Sequence, residues 1–296
     1  MDKFIIENEC EIHHGDSIEV MPRLKENSMS LAVFSPPFSS LFAYSSNIED
    51  IGNSRESDDE FLLHYEFSIP PLFDLIKPGC NVCVHVADVP RLKESHGYVG
   101  AYDLSGEIIK LMEKYGFYYY RRWTVNKNPQ SQSIRNHSIT LTFAQFEKDS
   151  RQSSAALADY ILVFKNKKAG KAVPVIPQMT RDEWIECANP TWYGIHENKD
   201  WGIKETDTLN TRKSEGDMVH ICPLQLGLIS RLVRLYSNEG ETVFTPFMGI
   251  GSEVYQSLLL KRKAVGIELK DEWFNQSVVN AKRAIYKRDA QGELAL

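Results

Sequence analysis

Short apolar runs that resemble buried strands alternate with helical patterns along most of this chain, and this alternation restricts its fold more than any other feature. Such alternation is typical of a mostly parallel sheet covered by helices on both faces. We therefore predict an α/β fold, with a late hairpin added to the sheet. The predicted strands cover 4–16, 30–34, 81–87, 117–125, 158–165, 241–244 and 264–269, and the predicted helices cover 17–25, 60–76, 103–115, 223–236, 253–260 and a closing stretch from 272 onward.

Two irregular stretches interrupt this alternation. Residues 39–59 are polar and rich in turn formers, and they are too many for an ordinary connection, so we predict a functional or mobile loop. Residues 166–214 combine prolines and tryptophans with a balance of acidic and basic residues. We predict that they form a small separate lobe, and that residues 1–165 and 215–296 form the main domain.

The composition excludes several classes of protein. Of the 296 residues, 42% are hydrophobic and 25% are charged, as in soluble globular proteins. No apolar run is long enough to span a bilayer, and residues 1–10 lack the basic-then-apolar order of a secretory signal. We therefore expect a cytoplasmic protein without a membrane partner. The net charge of −6 argues against a protein that coats nucleic acid indiscriminately.

The cysteines do not resemble a disulfide framework, because they are five in number and scattered. Cys80 and Cys83 form a lone CxxC, but residues three apart on a predicted strand point to opposite faces and cannot share a metal without distortion. We predict no metal site. The histidines, His85 among them, are also scattered, and we interpret them as structural.

Residues 114–135 contain five basic and six aromatic residues and no acidic one. Basic residues interleaved with aromatic ones suit a phosphate backbone and unstacked bases. A strand with one solvated face would give the same pattern, so both interpretations stay open.

The turn at 246–251, Pro-Phe-Met-Gly-Ile-Gly, lies between a predicted strand and a predicted helix. Its glycines let a ligand approach the backbone, and the helix N-terminus favours a carboxylate or phosphate. Glu268 lies seventeen residues after Gly251, at the end of the next strand, where an acid can accept both hydroxyl protons of a ribose. The third glycine of the dinucleotide fingerprint is missing, which disfavours a nicotinamide cofactor.

A second motif, Ser35-Pro36-Pro37-Phe38, directly follows the predicted strand 30–34. The prolines fix the backbone, so the Ser35 hydroxyl and the Pro36 carbonyl can converge as acceptors on one point. An amino group bonded to both would lose conjugation with its ring and gain a usable lone pair. Phe38 can supply a stacking face for a planar base. A rigid turn that leaves a strand is the simpler interpretation of the motif taken alone.

Together and in this order, VFSPPF and PFMGIG resemble the amino-methyltransferase family of DNA methyltransferases, which modify N4 of cytosine or N6 of adenine. The tetrapeptide comes first and the glycine turn lies near the C-terminus, as in the family's beta group. The resemblance covers most of residues 9–87 and 215–280. It implies the Rossmann-like fold of S-adenosylmethionine-dependent methyltransferases, with S-adenosyl-L-methionine as cofactor and double-stranded DNA as partner.

The resemblance also implies roles for individual residues. Ser35 and Pro36 would bind the target amino group, Pro37 would complete the rigid turn, and Phe38 would stack on a flipped base. Residues 166–214 would form the target-recognition region. The cofactor pocket would be formed by Asp16, His220, Pro223, Thr245, Phe247, Gly249, Gly251, Ser252 and Glu268.

Two positions depart from the family pattern. Thr245 stands where the family usually has Asp, and Cys222 replaces the usual Lys before Pro223. Both bear on how the cofactor amino and carboxylate groups are held. The serine of the tetrapeptide favours cytosine N4 slightly over adenine N6. The alternatives are an RNA or protein-amide methyltransferase and a catalytically decayed DNA-binding module. A homodimer and a cognate restriction endonuclease stay open as partners.

Overall fold

The regular elements occur in most of the places that the apolar patterns predict. The computed structural model describes residues 2–37, 58–91, 93–136, 139–195, 208–209 and 223–293. The strands are β1 (Lys3–Ile6), β2 (Cys10–His14), β3 (Met29–Phe34), β4 (Ile76–Ala87), β5 (Val89–Arg91), β6 (Gly100–Tyr102), β7 (Phe117–Val125), β8 (Asp159–Asn166), β9 (Thr191–Trp192), β10 (Thr242–Thr245) and β11 (Lys263–Glu268). The helices are α1 (Ser17–Val20), α2 (Asp58–Leu75), α3 (Lys93–His96), α4 (Leu104–Lys114), α5 (Pro129–Asn136), α6 (Phe143–Lys148), α7 (Arg181–Ala188), α8 (Leu226–Tyr236), α9 (Ser252–Leu259) and α10 (Asp271–Glu293).

One mixed sheet unites nine of the described strands, in the order β1-β2-β11-β10-β3-β4-β8-β7-β9. The five strands β2, β11, β10, β3 and β4 run parallel to one another, whereas β1 and β8 run antiparallel to their neighbours. The antiparallel pair β7–β8 is the predicted late hairpin, and β9 lies parallel to β7 at the sheet edge. The predicted α/β fold with a mixed, mostly parallel sheet is confirmed.

Helices cover both faces of this sheet. Ala32 and Phe34 of β3 pack in one core cluster with α2 and α4, whereas Leu31 and Val33 pack in another with α8. Helices α9 and α10 extend the α8 layer. The β3–α2–β4 and β10–α9–β11 crossovers therefore lie on opposite faces, and the winding reverses between the neighbouring strands β10 and β3. In open α/β sheets, ligands bind at such a switch point.

Some elements differ from the predictions. Residues 4–16 form the β1–β2 hairpin, which turns at Asn8 with a φ of +63°, instead of one strand. The predicted helix 17–25 ends at Val20 and gives way to a short 3₁₀ turn that contains Pro22, because proline cannot donate to the helix ladder. Helix α8 begins at Leu226 instead of 223. The elements without a predicted counterpart are α3, α5, α6, α7, β5, β6 and β9.

Residues 166–195 run along the main sheet. Helix α7 begins with a capping box between Thr180 and Glu183, and the carbonyl of Gln178 accepts a hydrogen bond from Arg234 of α8 at 2.7 Å. Strand β9 then joins the sheet, where the ring of Trp192 stacks on Trp123 with centroids 4.8 Å apart. Except for 208–209, the rest of the predicted lobe lies outside the described residues, and its boundary at 166 stays a prediction.

Cys80 and Cys83 lie on opposite sides of β4, as the strand geometry predicts. Cys83 is buried in the α8 cluster, and Cys80 packs against the cluster of α2 and α4. Within the described ranges, none of the helices combines the length and the apolar composition that a membrane span requires.

Candidate active site

Four strand ends bring the predicted site residues to one edge of the sheet. Asp16 follows β2, Ser35 follows β3, Thr245 ends β10 and Glu268 ends β11. Because these strands are parallel, their carboxyl ends meet at the same edge. The tetrapeptide and the glycine turn thus follow neighbouring strands, at the switch point of the sheet.

A contact between two aromatic rings joins the two loops. Phe34, which precedes Ser35, meets the ring of Phe247 edge-on with centroids 5.7 Å apart. The ring of Tyr65 from α2 lies 6.4 Å from that of Phe247. Aromatic pairs in such arrangements contribute about 0.5–1.5 kcal/mol beyond the area they bury. This packing fixes the tetrapeptide relative to the glycine turn.

The two glycines of the turn differ in their surroundings. Gly249 and Gly251 have φ values of +54° and +81°, a region that favours glycine. A Cβ built on Gly251 would lie 3.0 Å from the Cβ of Ser277 in α10, whereas one built on Gly249 would meet no atom within 4 Å. Gly251 therefore allows the close packing of α9 on α10, and Gly249 leaves open space beside the backbone.

Glu268 holds the glycine turn from the next strand. Its Oε2 accepts a hydrogen bond from the Gly249 N–H at 2.7 Å, and its Oε1 accepts one from the Lys270 N–H at 2.9 Å. A carboxylate offers about four lone-pair positions, so it can hold the turn and also accept from a ligand hydroxyl. On the neighbouring strand, the Asp16 side chain caps α1 by accepting from the Ile18 N–H at 2.8 Å.

Several buried polar atoms have no hydrogen-bond partner among the described residues, and they include Thr245 Oγ1, Ser252 Oγ and Gln225 Oε1. Thr245 is 1% exposed and Ser252 is 2% exposed. Buried polar groups are normally paired, so this group fits a polar ligand at the ends of β10 and at the starts of α8 and α9. Gln225 was not among the predicted residues.

Glu253, in the first turn of α9, was also not predicted from the sequence. Its side chain is buried, with 4% exposure. Burial, and secondarily the negative charge of Glu268, raise its pKa to about 8 against the opposing effect of a backbone hydrogen bond. At neutral pH this carboxyl is therefore mostly protonated and can act as a hydrogen-bond donor.

The Ser35 hydroxyl is held by one residue of β4. Its Oγ lies 3.2 Å from the carbonyl oxygen of His85 and 3.2 Å from His85 Nδ1. Pro36 is buried and Pro37 is half-buried, as expected for a rigid turn at a strand end. Phe38 lies outside the described residues, as does His220 of the predicted cofactor pocket.

His85 continues into a buried polar chain. Its Nε2 lies 2.8 Å from Asp159 Oδ2, and the same oxygen lies 2.7 Å from Lys127 Nζ. His85 and Asp159 are each 7% exposed. Burial opposes ionisation of Asp159 most strongly, but the charge that His85 carries when it is protonated, the charge of Lys127 and the hydrogen bonds of both residues outweigh it and bring the pKa to about 2. Asp159 is therefore ionised.

The sequence interpretation of His85 as a scattered structural residue missed this chain. The sequence carries no local signal for this contact, because it depends on which strand pairs with β8 and in what register. In the structure Asp159 pairs with Ala87 of β4, two residues beyond His85. That register brings the imidazole and the carboxylate together.

The basic and aromatic stretch 114–135 is divided between several contacts. Lys114 pairs with Glu66, and Lys127 pairs with Asp159. The Arg121 guanidinium lies 4.1 Å from the ring centre of Tyr120. These contacts do not choose between a nucleic-acid surface and a solvated strand face.

Sequence comparisons show the family to which the chain is similar. A family model described as DNA methylase, which covers N6 and N4 methyltransferases, matches residues 29–279. The type II methyltransferase M.MjaI of Methanocaldococcus jannaschii is 22% identical over 287 residues, and the match covers 84% of each chain. The type II methyltransferase M.BglI of Bacillus subtilis is 22% identical over 346 residues and matches 94% of this chain and 87% of its own.

Two solved structures share the fold. A Thermus thermophilus protein assigned as a DNA modification methylase, in complex with S-adenosyl-L-methionine, has a TM-score of 0.66 and 22% identity, with 93% of both chains covered. The PvuII DNA methyltransferase, which is cytosine-N4-specific, has a TM-score of 0.62 and 14% identity, with 95% of this chain and 92% of that chain covered.

Proposed function

We propose, because this chain belongs to the DNA methylase family of N6 and N4 methyltransferases, that it transfers a methyl group from S-adenosyl-L-methionine to the exocyclic amino group of a flipped base in double-stranded DNA. The observation that carries this proposal is the position of the Ser35 loop and the 246–251 turn on neighbouring strand ends, joined by Phe34 and Phe247. Direct transfer requires a methyl donor and a nitrogen acceptor held in line, and this geometry suits that requirement.

The residues of the glycine turn fit the proposed cofactor. When bound, S-adenosyl-L-methionine supplies an activated methyl group on a sulfonium. The open space beside Gly249 admits a ligand against the backbone, and Glu268 accepts the ribose hydroxyls. The buried hydroxyls of Thr245 and Ser252, which lack partners among the described residues, hold the polar end of the ligand.

The remaining residues of the proposed cofactor pocket surround these contacts. Asp16, at the end of the strand next to β11, lies towards the adenine side, and Phe247 together with Gly251 shapes the turn. His220 and Pro223 are the residues that we propose to contact the methionine end. The carboxyl of Glu253, protonated at neutral pH, adds a donor to a pocket in which Thr245 replaces the usual acid of the family.

At the acceptor end, Ser35 and Pro36 bind the target amino group through the hydroxyl and the carbonyl. Pro37 keeps the turn rigid, and Phe38 stacks on the base. The base must leave the duplex to reach this point, because its amino group is inaccessible in a stacked helix. We favour N4 of cytosine, on the serine of the tetrapeptide, and N6 of adenine is the alternative.

Residues 166–214 are the proposed target-recognition region. Strand β9 runs parallel to β7, so the chain leaves the sheet after Trp192 at the same edge as Ser35. The end of β9 therefore lies on the side of the sheet where DNA would bind. Both curated relatives are type II methyltransferases, which supports a role in modification beside a cognate restriction endonuclease.

The proposal is tested by offering the purified protein labelled S-adenosyl-L-methionine with duplex DNA, RNA and protein in parallel. We expect label in DNA only, released on digestion as N4-methylcytosine. N6-methyladenine would correct the base. Label in RNA or protein alone would contradict the proposal, and cofactor binding without transfer would favour a decayed DNA-binding module.

A further inference from the structure

We infer that His85, held in one tautomer by Asp159, takes the hydroxyl proton of Ser35 and so makes the Ser35 oxygen an acceptor for the target amino group and for the proton that this group releases. The inference rests on the proposed function. His85 is thus a positioning residue that acts through Ser35, and the chain Lys127–Asp159–His85–Ser35 is the device that orients it.

The first step is the tautomer of His85. An ionised carboxylate only accepts hydrogen bonds, so both groups that contact Asp159 Oδ2 must donate to it. Lys127 donates from Nζ at 2.7 Å, and the 2.8 Å contact therefore requires a hydrogen on His85 Nε2. In a neutral imidazole, the other nitrogen, Nδ1, is then an acceptor.

The second step is the direction of the Ser35 hydroxyl. Its single proton has two acceptors on His85, the carbonyl oxygen and Nδ1, each 3.2 Å from Oγ. Whichever of the two it uses, the proton points into the protein and the Oγ lone pairs are left for the substrate side. Of these two acceptors, only Nδ1 can take the proton outright.

The third step is the proton balance of methyl transfer. The new N–C bond forms as the donor S–C bond breaks, and the electron pair of that bond stays on sulfur. The methylated nitrogen is then positively charged and has one proton to lose. That proton passes to Ser35 Oγ while the Ser35 proton passes to His85 Nδ1. The resulting imidazolium is stabilised by the Asp159 carboxylate, as in serine-histidine-aspartate sites.

Asp159→Asn is the decisive variant. The side chain keeps nearly the same volume, but its amide group can donate a hydrogen bond to His85 where the carboxylate can only accept one. The Asn oxygen can accept from Lys127 while its amide donates to His85 Nε2, which places the imidazole hydrogen on Nδ1 and against Ser35. We expect the single-turnover methylation rate to fall roughly 10²–10⁴-fold, with affinities for DNA and cofactor within about threefold of the wild type. Asp149→Asn, an acid to amide change in the connection between β7 and β8, is the matched control and should leave the rate unchanged.

A double-variant cycle separates positioning from structural damage. In a Ser35→Ala background, Asp159→Asn should cause little further loss of rate, because the chain then has no hydroxyl to act on. A multiplicative loss in that background would overturn the inference, and so would a wild-type rate in the single variant.

The tautomer is measured independently of activity, from long-range proton–nitrogen spectra of protein with isotope-labelled histidine. The hydrogen is expected on Nε2 in the wild type and on Nδ1 in Asp159→Asn. A wild-type hydrogen on Nδ1 would overturn the inference. The expected tautomers in a protein that methylates no DNA would instead contradict the proposed function and leave the hydrogen-bond assignment standing.

Discussion

Ser35 is the residue on which the proposed chemistry most directly depends. Its hydroxyl is the polar side chain of the tetrapeptide, and His85 holds it from behind through both the ring and the main chain. Glu268, by contrast, is bonded to the turn on the donor side. The two residues therefore divide the site into an acceptor half and a donor half, which different substitutions should affect separately.

Replacing Ser35 with Ala should lower the methylation rate by roughly 10²–10⁴-fold and leave cofactor affinity nearly unchanged, because on the ligand side the missing oxygen is proposed to contact the target amino group and not the cofactor. Single-turnover kinetics and calorimetry with S-adenosyl-L-methionine measure the two quantities. Equal losses in rate and in cofactor affinity would show that Ser35 supports the pocket as a whole.

Glu253 should make the stability of the protein depend on pH. Its folded pKa of about 8 lies above the ordinary value of 4.5, so the folded state holds the proton more tightly than the unfolded state between these values. The stabilisation that comes from this tightly held proton is complete below pH 4.5, decreases as the pH rises from there, and is lost once the pH has passed 8. Glu253→Gln should therefore match the wild type at pH 5 and exceed it by a few kcal/mol at pH 9, as measured by urea unfolding. If the wild type and Glu253→Gln were equally stable at pH 5 and also at pH 9, the burial of a protonated Glu253 would be contradicted.

At the scale of elements, the turn between β10 and α9 combines two requirements in one short segment. Gly251 must fit against α10, and Gly249 must leave a space. Both glycines have positive φ, so the backbone cost of a side chain is similar at the two positions. What differs is the neighbour that the side chain would meet.

This contrast gives a matched pair of variants. Gly249→Ala should cost about 1 kcal/mol in unfolding free energy and strongly weaken cofactor binding, because the methyl group would fill the open space. Gly251→Ala should cost more, about 2–4 kcal/mol, because Ser277 on a packed helix lies 3.0 Å away. Chemical unfolding and calorimetry compare the two, and a larger stability loss for Gly249→Ala would invert the assignment.

The elements also show which parts of the fold a single sequence can predict. Strand β7 appears with its predicted bounds, and β3, β8, β10 and β11 lie within one residue of theirs, because apolar periodicity records burial directly. Strand β4 begins at Ile76 instead of 81, within the predicted end of a helix. Helices α5 and α6 were not predicted. Phe143 and Phe146 of α6 are exposed and stack on each other, so no buried stripe marks that helix in the sequence.

The residues of the candidate site also differ in how far the sequence alone could predict them. Local motifs such as the glycine turn were predictable, because their chemistry lies in adjacent residues. The contact between His85 and Asp159 was not, because it depends on the register between β4 and β8, 74 residues apart along the chain. Gln225 and Glu253 were missed because burial alone, which local composition does not record, makes their side chains significant.

At the scale of the whole molecule, the packing of Phe34 on Phe247 means that the cofactor and DNA should not bind independently. Each ligand would order one of two loops that share a ring contact, so occupancy of either pocket favours the conformation that the other needs. Thermodynamic reciprocity then requires that cofactor strengthen DNA binding by the same factor by which DNA strengthens cofactor binding. We expect a factor of roughly 5 or more, measured by calorimetry with the demethylated cofactor. Phe247→Leu should bring it close to one in both directions, and an unchanged factor in that variant would locate the communication elsewhere.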